Sequence, residues 1–367
     1  MTKNQFHKIL FLLVYWIVAA IFYVFLEMAI EGYTAAIYGI YNLNYKYNFF
    51  RVLIIATSVV VAGGLGLAIF EIFFFNNLFR KLPFGKVLII KTAFYFISIF
   101  ILTSVATYVS LIYILNKSPL HIAIFERYIF FLKSPKVWAL MLYWSFVVMS
   151  ALFVLSISEK LGQGILLNYL IGKYHRPQEE NRIFMFLDLI SSTEYAEKLG
   201  HKKYSMLIQD CYSDLTDVVI KCHAQIYQYV GDEVVLTWES KKGIKNNNCI
   251  NAFFEFEKTL KNREEHYKNV YGFVPQFKAG LNYGLVTVAE VGEMKKELAY
   301  HGDAINTAAR IRSNCNFYNK KVLISADLLS VLHDIDEDYV IESVGICALK
   351  GKKNMVGVFS VELKETI

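Results

Sequence analysis

The feature that most constrains the fold of this chain is a set of four long apolar segments within its first 158 residues. They cover about residues 8–30, 52–75, 90–115 and 137–158. A helix rises 1.5 Å per residue, so segments of about 20 residues cross a hydrocarbon core of about 30 Å. Buried helices of a soluble core are the alternative, but such helices are seldom so long or so free of charge. We therefore predict a four-helix transmembrane domain over residues 1–158.

The composition of the whole chain agrees with a membrane protein. Of 367 residues, 55% are hydrophobic and only 19% are charged, and the mean hydropathy is +0.37. Soluble domains rarely reach such values. The first apolar segment is also too long for the core of a signal peptide and has no small-residue cleavage site after it. We therefore interpret it as a membrane span.

The charge and the cysteines exclude two other classes of protein. The formal net charge is +6, but the basic residues are scattered and no helix shows a one-sided basic face. We therefore predict no nucleic-acid partner. The five cysteines lie outside the apolar segments, and their spacing suits neither a disulfide framework nor a metal site. This usage indicates free thiols in a reducing compartment.

Residues 159–180 form a short segment between the apolar and the polar parts. Ile165, Leu166, Tyr169 and Leu170 keep a helical stripe, and Pro177 ends it. The segment is either a solvated connector or one half of a parallel helix pair that links two protomers and transmits a signal. We interpret it as a helical linker, and both roles stay open.

From Arg182 onward, short strands alternate with amphipathic helices. This order of elements is typical of a ferredoxin-like α+β sandwich, so we predict such a domain over residues 181–367. Its predicted elements are a strand over residues 183–187, a helix over 201–222, a hairpin of residues 225–230 and 234–238, a helix over 248–267, and a strand pair of residues 277–282 and 285–291. We place the turn of that last pair at Tyr283-Gly284.

Two aspartates mark the predicted site. Asp188 closes the first strand and Asp232 lies in the hairpin turn. Because those strands are neighbours in this topology, the two carboxylates can converge on one divalent cation or a pair. The backbone amides that follow Asp188 open a helix and form an anion site suited to a triphosphate. These amides belong to Ile190, Ser191, Ser192 and Thr193. Taken singly, the aspartates also suit a helix cap and a turn.

Two further segments carry residues suited to a nucleotide. Asn306 and Arg310 are four residues apart and project from one face of a helix that starts at Gly302-Asp303. An amide and a guanidinium so placed can orient a ribose and neutralise charge on an α-phosphate. Lys350 is predicted at a strand end, where an ammonium group can meet a terminal phosphate. Taken alone, that lysine is more typical of a solvated surface.

With these motifs, residues 182–363 resemble the class III nucleotide cyclases, the adenylyl and guanylyl cyclase family. The resemblance rests on four segments in order: Phe186-Leu-Asp-Leu-Ile-Ser-Ser-Thr193, Val230-Gly-Asp-Glu233, Gly302-Asp-Ala-Ile-Asn-Thr-Ala-Ala-Arg310 and Leu349-Lys-Gly351. It implies the class III catalytic fold and a head-to-tail homodimer with its active sites at the interface. It also implies that the ribose 3′-hydroxyl attacks the α-phosphorus and that pyrophosphate leaves.

The same resemblance assigns roles to individual residues. Asp188, Asp232 and the carbonyl of Leu189 would hold two Mg²⁺ or Mn²⁺ ions per active site. Asn306 and Arg310 would come from the other chain, and Lys350 would bind the outer phosphates.

The chain departs from the family at the two positions that read the base. Gln228 stands where adenylyl cyclases commonly have lysine and guanylyl cyclases glutamate, and Ala299 stands where aspartate or threonine reads adenine and cysteine reads guanine. A glutamine amide can donate to adenine or accept from guanine, so its chemistry permits both bases. Analogy with bacterial membrane cyclases favours ATP. A guanylate cyclase using GTP is the alternative.

Three other functions share some of these features. A diguanylate cyclase shares the fold, but its Gly-Gly-Asp/Glu-Glu-Phe signature is not matched by Val230-Gly-Asp-Glu-Val234. A transporter would need a polar pathway, which four short-looped apolar helices do not offer. A catalytically silent, cyclase-like nucleotide receptor stays open, although both metal ligands and both transition-state residues are present.

The expected protein is therefore a membrane-bound adenylate cyclase. An even number of spans puts both termini on one side, and a nucleotide-dependent domain needs the cytoplasm. We expect a multi-pass protein of the inner or plasma membrane, with the N-terminus and the catalytic domain cytoplasmic. Its expected partners are ATP, a second copy of the chain and membrane lipid. An unidentified ligand or protein at the transmembrane domain is a further expectation, and the sequence does not identify that signal.

Overall fold

The computed structural model describes residues 3–38, 49–75, 82–161, 165–347 and 355–364. The chain divides into two compact units, Met1–Lys160 and Leu161–Ile367. The first unit is built of helices and the second of a sheet with helices on both faces.

The first unit holds long apolar helices. Its elements are α1 (Lys3–Tyr38), α2 (Phe49–Phe70), a π-helical turn (Glu71–Phe75), α3 (Phe84–Leu115), α4 (Ile122–Lys133) and α5 (Pro135–Leu161). Three stretches are long and apolar enough to cross a membrane: Lys8–Ile30, Phe84–Tyr113 and Pro135–Ser158. The described part of α2 contributes a shorter apolar helix, Val60–Phe70. Apolar spans are therefore present, and the count of four stays a prediction.

Buried charge inside the first unit is paired. Glu71 lies on the π-helical turn with 2% of its surface exposed, and it forms an ion pair with Lys91. The hydroxyl of Tyr95 donates a hydrogen bond to the same carboxylate at 3.0 Å. An acidic group among apolar helices needs such partners, because its desolvation is otherwise costly. These contacts connect the end of α2 to α3.

The second unit is a mixed eight-stranded sheet with strand order β2-β3-β1-β4-β6-β8-β7, and β5 pairs with β4. Its strands are β1 (Gln178–Leu189), β2 (Gln225–Val230), β3 (Glu233–Glu239), β4 (Phe277–Val291), β5 (Glu297–His301), β6 (Val322–Ser325), β7 (Tyr339–Cys347) and β8 (Val356–Leu363). Its helices are α6 (Ile165–Leu170), α7 (Ser192–Lys221), α8 (Ser240–Ile244), α9 (Asn248–Asn262), α10 (Glu264–Tyr271), α11 (Asp303–Ser313), α12 (Cys315–Tyr318), α13 (Ala326–Leu329) and α14 (Ile335–Asp338).

Strand β1 lies between β3 and β4 in the sheet, and it is antiparallel to both. Together with β2 these strands have the order predicted for a ferredoxin-like sandwich. Alternate residues of β1 point to opposite faces of the sheet. Ile183, Met185 and Leu187 belong to the core with α7 and α9, whereas Phe184 packs on the other face with residues of α11. Asp188 is therefore on the α11 face.

The prediction of a strand pair around Tyr283-Gly284 was wrong. Strand β4 is one continuous strand of 15 residues, in which Gly284 pairs with Arg182 of β1. A Cβ at Gly284 would lie 2.9 Å from the Cβ of Ala304, so this glycine allows α11 to approach the strand. The chain turns later, after Gly292 (φ +90°), and returns as β5.

Helix boundaries also differ from the predicted ones. Helix α7 begins at Ser192, directly after β1, and is interrupted by non-helical backbone at Gly200 (φ 70°, ψ 161°). The predicted helix over residues 201–222 corresponds to the part after this kink, which ends at Lys221, so only the helical turns before Gly200 were not predicted. The predicted helix over residues 248–267 is two helices, α9 and α10. Within the predicted linker of residues 159–180, the structure describes α6 and the start of β1 at Gln178. The role of the linker stays a prediction.

Candidate active site

The two predicted metal ligands lie at the ends of neighbouring strands. Asp188 is 9% exposed at the end of β1, and its partner in the register of β3 is Glu233. Asp232 precedes Glu233 in a two-residue turn whose other residue, Gly231, has φ +64°. Burial raises the pKa of the nearby Tyr204, and the charges of Asp232 and Asp188 raise this pKa further. Both carboxylates therefore lie within electrostatic reach of one phenol.

Two cations that were not predicted contact Asp188. Arg312 of α11 donates from Nη1 to Oδ2 of Asp188 at 3.2 Å, and its Nη2 forms an ion pair with Glu233. Nζ of Lys278 lies 3.3 Å from the same Oδ2. The register of β1 and β4 pairs Lys278 with Asp188, so a correct strand alignment would have identified the lysine. Burial raises the pKa of Glu233. The charges of Asp188 and Asp232 raise this pKa further, whereas Arg312 lowers it.

The residues around Asp188 fit a hard divalent cation. The backbone N–H of Ile190 donates to the carbonyl of Gln276, the residue before β4, so the trans peptide bond directs the carbonyl of Leu189 towards the β3 side. Two carboxylates and one carbonyl can thus converge. Among the described ranges, no group of three His, Cys, Asp or Glu side chains is arranged to hold a metal ion. A cation here would take the rest of its shell from water and substrate phosphates, as Mg²⁺ does in nucleotide sites.

The predicted anion site is formed by the first turn of α7. Ser191 precedes this helix in the left-handed conformation (φ 56°, ψ 31°), so the chain turns sharply after Leu189. The amides of Ser192 and Thr193 lie in the first turn, where no carbonyl of the same helix is available to them. The amide of Ile190 is already bonded to Gln276, so this part of the prediction does not fit the structure.

Asn306 and Arg310 lie on α11, as predicted, with Gly302 as the residue before the helix. Nδ2 of the exposed Asn306 makes only a long 3.5 Å contact with the Gly302 carbonyl. The guanidinium of Arg310 makes no hydrogen bond or ion pair in the part of the chain that the structure describes, where only its backbone carbonyl accepts hydrogen bonds. Within the described residues of one chain, Arg312 rather than Arg310 therefore forms an ion pair with Asp188.

The two predicted base-reading positions lie on β2 and β5. Gln228 is exposed beside an irregularity in the pairing of β2 with β3, and Ala299 pairs with Ala289 of β4. The rings of the neighbouring residues Tyr227 and Tyr300 are 4.8 Å apart and nearly perpendicular. The fold thus brings the two segments together. Lys350, predicted to bind outer phosphates, lies outside the described residues.

A buried arginine behind Tyr300 was also not predicted. Arg182 is 1% exposed, and the carbon of its guanidinium lies 5.0 Å from the centroid of the Tyr300 ring. Nε of Arg182 donates to Thr237 at 3.2 Å, and Nη1 donates to Glu180 at 2.8 Å. Lys173 forms a second ion pair with Glu180, also at 2.8 Å. This cluster connects the residues before β1 to the strand that carries Ala299.

The sequence of this unit matches a known family. The model of the adenylate and guanylate cyclase catalytic domain matches residues 175–361, which is about half of the chain. The chain belongs to the adenylate and guanylate cyclase family. The resemblance drawn from the four motifs is thereby confirmed, and so is the class III catalytic fold of the second unit.

Two curated cyclases and one solved structure illustrate the similarity. The chain is 34% identical over 211 residues to adenylate cyclase 2 of Rhizobium meliloti (strain 1021), covering 57% of this chain and 58% of that protein. It is 24% identical over 141 residues to a terminal-differentiation specific adenylate cyclase of Dictyostelium discoideum, covering 37% of this chain and 6% of that protein. A bacterial light-regulated adenylyl cyclase shares the fold at 18% identity, with a TM-score of 0.50 over 62% of this chain and 65% of that one.

These matches cover less than two thirds of each relative's length. They support the family of the catalytic unit. Catalysis in this family is in general metal-dependent, in agreement with the carboxylates and the carbonyl at the end of β1.

Proposed function

We propose that this cyclase is a membrane-bound adenylate cyclase that converts ATP to 3′,5′-cyclic AMP and pyrophosphate at a homodimer interface. The observation that supports the proposal most is the position of Asp188 and Asp232. Both lie at the ends of adjacent strands, beside the first turn of α7. The carboxylates proposed to bind metal ions and the amides proposed to bind phosphates thus lie at the same end of these strands.

In the proposed reaction, the 3′-oxygen of the ribose forms a bond to the α-phosphorus. The bond from that phosphorus to the bridging oxygen breaks, pyrophosphate leaves with the bonding electrons, and the hydroxyl proton passes to solvent. Asp188, Asp232 and the carbonyl of Leu189 would hold two Mg²⁺ or Mn²⁺ ions. Such ions, when bound, acidify the hydroxyl and neutralise phosphate charge. The amides of Ser191, Ser192 and Thr193 would bind the triphosphate.

Asn306 and Arg310 are proposed to act on the nucleotide held by the other chain. Neither side chain contacts Asp188 or Asp232 within the described chain, and Arg310 makes no ion pair there. An unpaired guanidinium is free to neutralise charge that develops on the α-phosphate. Asn306 would orient the ribose, and Lys350 would bind the outer phosphates.

ATP is the proposed substrate because the relative at 34% identity is an adenylate cyclase. Gln228 and Ala299 would face the base. The long apolar helices would place the protein in the inner or plasma membrane, with four spans in all and the catalytic unit cytoplasmic. Lipid would then surround the first unit, and an unidentified ligand or protein would act there.

The deciding experiment uses the purified full-length chain in detergent micelles. With Mn²⁺ and either ATP or GTP, we expect cyclic AMP from ATP as the main product, identified by mass spectrometry. Asp188→Ala and Asp232→Ala should each abolish turnover without unfolding the chain, because each removes a metal ligand rather than an apolar core contact. Asp217→Ala, at an exposed position of α7, is the matched control and should keep full activity.

Other products would change the proposal. Cyclic GMP as the main product would make the chain a guanylate cyclase. Binding of ATP without any cyclic product would identify a silent nucleotide receptor. Substantial turnover in Asp188→Ala would contradict the metal assignment.

A further inference from the structure

Arg312 holds an unusual position for a residue next to a metal site. Its guanidinium bridges two carboxylates of its own chain, with Nη1 on Asp188 and Nη2 on Glu233. The bridged residues face each other in the register of β1 and β3. A planar guanidinium suits such two-point contact better than an ammonium group does.

The backbone of α11 fixes where this side chain starts. A Cβ at Gly280 of β4 would lie 2.1 Å from the backbone nitrogen of Arg312 and 2.5 Å from its Cα. Helix and strand are therefore in direct contact at Arg312, and the side chain reaches Asp188 from a rigid base. Arg310, two residues earlier on the same helix, does not share these contacts.

The charged side chains around Asp188 and Glu233 set the net charge that a divalent cation meets. Asp188, Asp232 and Glu233 are opposed by Arg312 and Lys278, so three carboxylates meet two cations. When all five groups are ionised, a single divalent ion makes this cluster net positive, and a second ion makes it more so. A triphosphate supplies the missing negative charge.

We propose that Arg312 competes with divalent cations for Asp188 and Glu233, so that free metal ions bind weakly and tight metal binding requires a nucleoside triphosphate. Arg312 is thus a positioning residue that couples metal binding to nucleotide binding. The inference rests on the proposed metal site at Asp188 and Asp232. Coupling of this kind is reciprocal, so metal and nucleotide each raise the affinity for the other.

The test is Mn²⁺ binding to the full-length chain in detergent micelles, measured by electron paramagnetic resonance of free Mn²⁺. Each protein is titrated alone and with α,β-methylene-ATP, which cannot be cyclised. An adjacent arginine changes the proton affinity of a carboxylate by about ten- to a thousandfold. We therefore expect Arg312→Gln to raise the affinity for Mn²⁺ alone by about tenfold or more. The gain in Mn²⁺ affinity on adding the nucleotide should shrink accordingly.

Three variants serve as controls. Arg312→Lys keeps the charge and should bind Mn²⁺ alone nearly as weakly as the wild type. Arg310→Gln, on the same helix, should lose cyclase turnover but leave the affinity for Mn²⁺ alone unchanged. If Arg312→Gln does not unfold cooperatively, Arg312→Met serves as a second neutral variant. We expect the same gain in the affinity for Mn²⁺ alone from it.

The outcomes separate this inference from the proposed function. If Asp188→Ala abolishes nucleotide-dependent Mn²⁺ binding but neutral variants at Arg312 bind free Mn²⁺ no better than the wild type, only the role of Arg312 is overturned. If Asp188→Ala and Asp232→Ala bind Mn²⁺ with nucleotide as the wild type does, the proposed metal site itself is overturned.

Discussion

Gln228 is the residue that we propose to read the base of the substrate. It is exposed on β2, next to Tyr227, whose ring contacts Tyr300 beside Ala299. A glutamine offers both a donor and an acceptor, so its position near a base leaves both purines acceptable. Lys295 and Lys296, just before β5, are each paired with a glutamate, Glu297 and Glu290 respectively.

We predict that Gln228→Glu shifts the preference of the enzyme from ATP towards GTP. An ionised carboxylate accepts from the ring N–H and amine of guanine but has no donor for adenine. Such a mismatch in a desolvated pocket costs about 1–3 kcal/mol, so the ratio of kcat/KM values should change about ten- to a hundredfold. Gln209→Glu, exposed on α7, controls for added charge. An unchanged ratio would show that another residue reads the base.

At the scale of elements, the site depends on how α11 packs on β4. Two glycines of β4, Gly280 and Gly284, allow this contact, because a Cβ at either would lie within 3 Å of α11. The helix carries the exposed Asn306, the half-buried Arg310, and Arg312 beside Asp188. The distance between α11 and β4 therefore affects the positions of all three side chains.

We predict that Gly280→Ala destabilises the catalytic unit and lowers activity. The added methyl group would meet the backbone of Arg312 and Ala308, which cannot move without displacing α11. Overpacking of this kind costs about 1–3 kcal/mol, and about 2–4 °C of the thermal midpoint is lost per kcal/mol in a unit of this size. Calorimetry would measure the change. A Cβ at Gly357 would lie 3.3 Å from the Cβ of Ala326 and 3.8 Å from Cε2 of Phe359, so Gly357→Ala should cost less. Equal midpoints for the two variants would contradict the close packing of α11.

At the scale of the whole molecule, the two proposed halves of the active site do not contact each other within the described residues of one chain. Asp188 and Asp232 lie at the ends of β1 and β3, whereas Asn306 and Arg310 make no contact with them in the described residues. In a head-to-tail homodimer, each half would meet the complementary half of the partner. The linker of residues 159–180 would then lie between two membrane units and two catalytic units.

We predict that two inactive variants restore activity when mixed. Asp188→Ala removes a proposed metal ligand, and Arg310→Ala removes the guanidinium that each chain would supply to its partner's site. In a mixed dimer, one of the two sites therefore combines the intact Asp188 of one chain with the intact Arg310 of the other. Co-expression with different affinity tags and purification through both tags would isolate mixed dimers. These should show up to about half of the wild-type turnover, because one of two sites is intact. Dimers of a single variant are the control. Absence of activity in confirmed mixed dimers would show that the site is built within one chain.

The sequence alone determined the features that depend on local pattern. Long apolar runs indicated membrane helices, a short continuous apolar run indicated β1, a Gly-Asp turn between two strand-like runs indicated the β2–β3 hairpin, and four motifs identified the family. Each of these signals is carried by residues close together in the chain, where side-chain periodicity and turn chemistry are decisive. Asp188 and Asp232 could be paired on this basis, because the hairpin and the strand order were both predictable.

The tertiary structure alone decided the contacts between distant segments. Gly284 looked like a turn residue, but the pairing of β4 with β1 and the approach of Ala304 keep it in a continuous strand. Arg312 and Asp188 are separated by 124 positions, and no local pattern relates them. Their ion pair exists because Gly280 lets α11 pack directly on β4, and because the strand order places β1 next to β4. Contacts of this kind follow from the packing of whole elements, so they could not be predicted from the spacing of residues.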